Sequence, residues 1–185
     1  MVEIKNKYFT LLIMIIMLSL GNGCTTETEK VILGIEGYIT LKSDDVHTIL
    51  VTKAGTTDDA MNVSVSKDTT ILNSNGSVMK IEDLKIAQWV EVWVNGNINT
   101  SFPSRAFANK IVVYDDSPVE GSNITKTQAV EKALSLTTDI PIQFVSGIEF
   151  MKSEGHWKVT IRNNDAKIKK EVIINGRTGE GKLID

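Results

Sequence analysis

The chain is short of the groups that most chemistry needs. It has one cysteine, Cys24, so no intramolecular disulfide can brace it, and each folded module must be held by apolar burial. It has two histidines, His47 and His156, and neither stands in an H-E-x-x-H or other metal-ligand spacing. There is no G-x-S-x-G, no phosphate-binding glycine loop and no C-x-x-C. The acidic pairs Asp44-Asp45, Asp58-Asp59 and Asp115-Asp116 lack the calcium-loop pattern and read as solvated turns. Basic residues are not in excess. The formal charge is −3, a poor match for a phosphate backbone, so no nucleic-acid partner is expected. Three matches to the glycosylation sequon, at Asn62, Asn75 and Asn123, read as accidental. The expectation is a protein with no catalytic set, no metal and no cofactor.

The amino terminus is informative. Lys5 and Lys7 precede an apolar run from Tyr8 to Leu20, and Gly21-Asn22-Gly23-Cys24 follows. A membrane span needs about 20 apolar residues, so the run reads as the core of a secretory signal over 1–23. The small residues and the single cysteine resemble the lipobox of bacterial lipoproteins, although Gly21 and Asn22 stand where that family has leucine and serine or alanine. The resemblance implies cleavage before Cys24 and lipid attachment (diacylglycerol, with palmitate-type chains) on its thiol. It places the protein on the outer face of the cytoplasmic membrane, with the bilayer as a partner. A secreted protein with an incidental cysteine and an uncleaved anchor are the alternatives. Loss of Lys5, Lys7 and Glu3 would take the charge from −3 to −4, so any membrane attachment would come from acyl chains. Residues 24–30 read as a tether, and its polar part, 25–30, reaches about 20 Å at most.

Hydrophobic residues at 42% and charged residues at 23% indicate a globular chain after the tether. From Val31 the pattern has period two. Val31, Leu33, Ile35, Ile39 and Leu41 fall on one face, with Gly37 in the apolar register as a candidate bulge or bend. Strands are predicted over 48–52, 61–65, 89–94 and 105–114, with a helical turn over 81–84. In the fourth strand Trp89, Glu91 and Trp93 share one face and three valines the other. Five strands with a short helix before the fourth predict an OB-like β-barrel over 31–116. The motifs Gly37-Tyr38-Ile39, Asp83-Leu84-Lys85 with Gln88 and Trp93, and Ser101-Phe102-Pro103 with Lys110 and Ile111 resemble an uncharacterised OB-like exported domain. That domain is common in lipoproteins of Gram-positive bacteria, and the resemblance implies a fold but no activity. The family usually has glycine before the glutamine. If that turn needs positive φ, Ala87 strains it.

Residues 117–122 read as a linker, and 123–185 as a second module separable from the first. Thr125 and Gln128 have capping-box spacing, and Val130, Ala133, Leu134 and Thr137 mark a helix face. After Pro141, the residues Ile142, Phe144, Ile148 and Phe150 are expected on one strand face, and strands around Trp157–Ile161 and over 167–174 complete a three-stranded antiparallel meander. Ala129-Val130, Ala133-Leu134, Trp157-Lys158-Val159 and the Asn175–Gly179 turn resemble a PepSY domain, the module also found in pro-regions of thermolysin-like peptidases. The fold class is therefore mainly β / α+β.

OB folds bind extended ligands on aromatic platforms, so Tyr38, Trp89, Trp93 and Phe102 form a candidate binding surface, with Arg105 as its cation. The same aromatics could instead pack the barrel or the contact between modules. The function expected is lipid-anchored, non-enzymatic binding of an envelope protein or glycan. A peptidase inhibitor or modulator, and a hydrolase with an unrecognised site, are the rivals.

Overall fold

The computed structural model describes residues 30–43, 45 and 47–184. The expected signal segment, Cys24 and most of the expected tether lie outside the described residues, as does Asp44 of the first acidic pair. Among the described residues no helix is long and apolar enough to cross a membrane.

The first module contains β1 (Ile32–Ser43), β2 (Thr48–Thr52), β3 (Ala60–Ser64), β4 (Thr70–Asn73), a 3-10 turn (Ile81–Asp83), β5 (Trp89–Val94) and β6 (Ser104–Tyr114). The strand order is β3-β2-β1-β5-β6-β4, and β3 also pairs with β6. Strands β1, β2, β3, β6 and β5 thus close a ring, and the β3–β6 pairing is parallel. This is the five-stranded OB-like barrel, with the 3-10 turn before its fourth ring strand. Its interior is filled: Ile39, Val51, Val63, Val90, Val92, Ile111 and Val113 are fully buried within one cluster.

Three details differ from the sequence expectation. First, β4 is an additional strand. It forms because the 11-residue β6 outruns β3, which pairs with Ser104–Phe107 and leaves Lys110–Val113 for β4. Second, the face of β1 is not uniform. Ile35 and Ile39 are buried, but Val31, Leu33 and Leu41 are 42%, 43% and 56% exposed. Register shifts between Leu33 and Ile35 and between Ile39 and Leu41 turn the ends of the strand over. Third, Gly37 lies between these bulges and not at one. A Cβ there would stand 2.1 Å from the Thr52 carbonyl oxygen, so the glycine permits close approach of two backbones.

Ala87 adopts φ of +70°, the strained conformation for which glycine is suited. Its N–H donates to the Ile39 carbonyl at 2.7 Å, and its methyl is fully buried.

The second module has one described helix, α1 (Lys126–Leu136), then β7 (Phe144–Met151), β8 (His156–Arg162), β9 (Lys169–Asn175) and β10 (Gly181–Ile184). Thr125 caps α1: its hydroxyl accepts from the Gln128 N–H (3.2 Å), while its own N–H donates to Gln128 Oε1 (2.8 Å). Ala129, Val130, Ala133 and Leu134 pack on the sheet against Val159, Ile161, Val172 and Ile174. The sheet has four strands in the order β10-β9-β8-β7, one more than the meander expected. β10 is a four-residue edge strand with little burial, which is why hydrophobic alternation did not reveal it.

A register shift between Val145 and Gly147 also corrects the expected face of β7. Phe144 and Val145 are both buried, but on different neighbours. Val145 joins the core under α1 with Ile148 and Phe150, whereas Phe144 packs with Leu50, Ala60 and Ile142. Leu50 and Ala60 belong to the barrel, so Phe144 is an anchor between modules.

The modules meet along more than this contact. Tyr38 and Ala87 of the barrel lie in the same apolar cluster as Val130 and Val145, with Trp89 packed against it. The Gly55 N–H donates to the Val145 carbonyl (3.1 Å), and Thr52 Oγ1 donates to the Gln143 carbonyl (3.1 Å). The connecting residues Ser117–Gly121 are exposed.

Candidate functional site

The outward side of β1, β5 and β6 carries a ladder of side chains set by register. Leu33 stands opposite Trp93, and Trp93 opposite Lys110. In the next row Glu36 faces Glu91, and Glu91 faces Val112; in the third, Tyr38 faces Trp89 and Trp89 faces Tyr114. The inward partners are the valines of β5, so the alternation of that strand holds as expected.

The five candidate residues do not form one platform. Tyr38 is 2% exposed, and its ring meets that of Trp89 edge-on, with centroids 5.0 Å apart. Both belong to the joint between modules, where packing by the second module removes Tyr38 from solvent. Burial, and then the charge of Asp116, push the Tyr38 phenol up to about 12. Trp89 keeps a half-exposed edge, with Lys126 Nζ 6.0 Å from its ring centroid. Trp93 stands apart on the outer face, with Lys110 Nζ 5.2 Å above its ring. Phe102 is 48% exposed in the loop after β5, and Arg105 is exposed at the start of β6. Reciprocal backbone hydrogen bonds of 2.9 and 3.0 Å between Asn99 and Arg105 fix the base of that loop. Cys24 lies outside the described residues.

The structure adds residues that pattern reading did not select. Leu33 and Lys110 flank Trp93, and Phe107, outward on β6, is 75% exposed. Phe107 had a signal in the sequence, an aromatic between the small residues Ala106 and Ala108, whose alternation is that of a strand with its large side chain outward. The Tyr114 hydroxyl donates to Glu91 Oε1 at 2.8 Å, and this bond is the main reason its phenol lies above the ordinary range. It also engages one of the two like charges that β1 and β5 set side by side. Chemically, the face offers a flat aromatic with a cation above it, bordered by aliphatic and acidic groups.

The histidines belong to different modules. His47 lines a cavity of about 270 Å³ with Lys42, Ile49 and Glu82; His156 lines one of about 500 Å³ with Lys132, Asn175 and Lys182. Among the described residues no group of three or more His, Cys, Asp or Glu side chains converges.

Residues 36–115 match the family described as "Protein of unknown function (DUF3221)". The match runs from Glu36 in β1 to just beyond the end of β6, so it covers nearly the whole barrel and stops before the second module. It agrees with the expectation of an uncharacterised domain and supplies no activity. Neither the curated proteins nor the solved structures give a match.

Proposed function

We propose that this chain is a non-enzymatic binding protein of the bacterial envelope, exported by its signal segment and held at the outer face of the cytoplasmic membrane by lipid on Cys24. Its outer barrel face docks an envelope protein; a glycan is the alternative ligand. The observation that carries the reading is the row Leu33, Trp93 and Lys110, with Phe107 outward on the same β6, on a barrel whose interior is filled by its own side chains. A filled barrel recognises ligands by its surface. A half-buried tryptophan under a cation and a neighbouring strand's exposed phenylalanine are side-chain types that dominate protein contacts. The second module, one helix laid on an antiparallel sheet, supports our reading of it as PepSY-like, and in this proposal it braces the barrel.

Two experiments test the reading. Cys24→Ser releases the protein from the membrane fraction or leaves an uncut precursor; unchanged retention and mobility would remove the anchor from the proposal. Trp93→Ala weakens partner capture from membranes at unchanged circular dichroism, whereas equal capture by variant and wild type would remove the docking face.

A further inference from the structure

A second site lies at the junction of the modules, away from the outer barrel face. The loop between β2 and β3 reaches over the end of the second sheet and borders an open cleft of about 350 Å³. Its walls carry four hydroxyls, from Thr56, Thr57, Ser146 and Thr160, and two cations, Arg162 and Lys169. That volume lies within the range of small-molecule sites, and module junctions are where such sites concentrate.

The charges in the cleft are not balanced from within. Arg162 and Lys169 are directly paired across β8 and β9, an arrangement of like charges that is unfavourable without an anion between them. Lys169 Nζ contacts Glu171 Oε1 at 2.6 Å, but Lys158 Nζ holds the other oxygen of the same carboxylate at 2.8 Å. One acid is thus shared by two lysines, and Arg162 has no acidic partner among the described residues. Its Nε is buried and has no hydrogen-bond acceptor, a condition that buried donors rarely tolerate. Of the acids on the covering loop, Asp59 faces Lys53 at 3.8 Å and Asp58 is exposed.

A guanidinium without an acidic partner among the described residues, a second cation and several hydroxyl donors form a set matched to a tetrahedral oxyanion. We propose that this cleft binds a phosphate or sulfate group, with Arg162 and Lys169 supplying its counter-charge. Thr57 and Thr160, whose hydroxyls have no partner among the described residues, supply further donors. Because the cleft joins the loop of one module to strands of the other, the anion also ties the modules together.

The test is thermal unfolding of the full mature chain at fixed ionic strength, with inorganic phosphate, sulfate, phenyl phosphate or acetate added. Phosphate and sulfate raise Tm with the logarithm of their concentration above the Kd, by about 5–10 °C at about 100 times the Kd, and acetate does not. Arg162→Gln and Arg162→Lys each weaken binding at least about tenfold, because lysine restores the charge and not the planar set of guanidinium donors. Lys169→Gln, at an exposed edge, weakens it several-fold and serves where the arginine variants do not fold. Tighter binding of phenyl phosphate assigns the rest of the cleft to an organic body; equal binding assigns it to the free ion. No shift with phosphate or sulfate, an equal shift with acetate, or a shift unaffected by these variants overturns the proposal.

Discussion

Phe144→Ala is the substitution that most directly examines the joint. The ring is fully buried among Leu50 and Ala60 of the barrel and Ile142 of its own module. Its removal leaves a cavity that the flanking backbone cannot close. The Thr52-to-Gln143 and Gly55-to-Val145 hydrogen bonds pin the chain on either side. Truncating a buried phenylalanine costs about 3–5 kcal/mol, a large fraction of the roughly 5–15 kcal/mol by which a domain is stable. Because Tyr38, Ala87 and Trp89 also enter the core under α1, the loss is shared by both modules and does not stay in the second. Native-state hydrogen exchange followed in urea measures this. The amides of Val92 in β5 and Val159 in β8 lose protection together in the wild type, and both do so earlier in the variant. If Val159 opens at lower denaturant while Val92 is unchanged, the modules fold independently, as the exposed connecting segment suggested, and the shared core is a passive contact.

Three further outcomes follow from local geometry. Gly37→Ala forces a methyl against the Thr52 carbonyl and destabilises the barrel by about 3 kcal/mol in denaturant titration; a loss below about 1 kcal/mol would mean that β1 and β2 separate freely there. Ala87→Gly is nearly silent, since relief of about 1 kcal/mol of left-handed strain is offset by loss of a buried methyl worth about 0.8 kcal/mol, whereas Ala87→Val is destabilising by several-fold more; a large loss in the glycine variant would contradict the strain. Tyr38 has its folded pKa raised from 10.0 to about 12, so its contribution is complete below pH 10 and is lost as pH rises through about 12, amounting to about 3 kcal/mol. Tyr38→Phe removes that part of the alkaline decline in stability, and identical alkaline profiles for variant and wild type would refute the burial argument.

Local rules were legible in the sequence and pairings were not. The alternation of Trp89–Val94 gave the faces of β5 correctly, and Thr125 with Gln128 marked the start of α1, because both signals are complete within a few residues. The strain at Ala87 was legible once glycine was expected at that turn. The ends of β1 were misassigned because bulges depend on the strands alongside, and a shift of one residue turns every later side chain over. β4 exists only because β6 extends beyond β3, a fact of tertiary pairing. The candidate surface divided for the same reason. Tyr38 and Trp93 share the outward side of the barrel, but the second module covers only the end that carries Tyr38. Lys110 entered the site through its register with Trp93, and Arg162 entered its cleft through a loop distant in sequence.

The docking role of the outer face is tested most directly by site-specific photo-crosslinking in intact cells. A photoreactive residue replaces Phe107 in one strain and Val78 in another; Val78 is an exposed apolar residue between β4 and the 3-10 turn, 81% accessible against 75% for Phe107. The account predicts a discrete adduct from position 107 that is reduced when Trp93→Ala is added, and none from position 78. Equal adducts from both positions, or none from position 107, would contradict it.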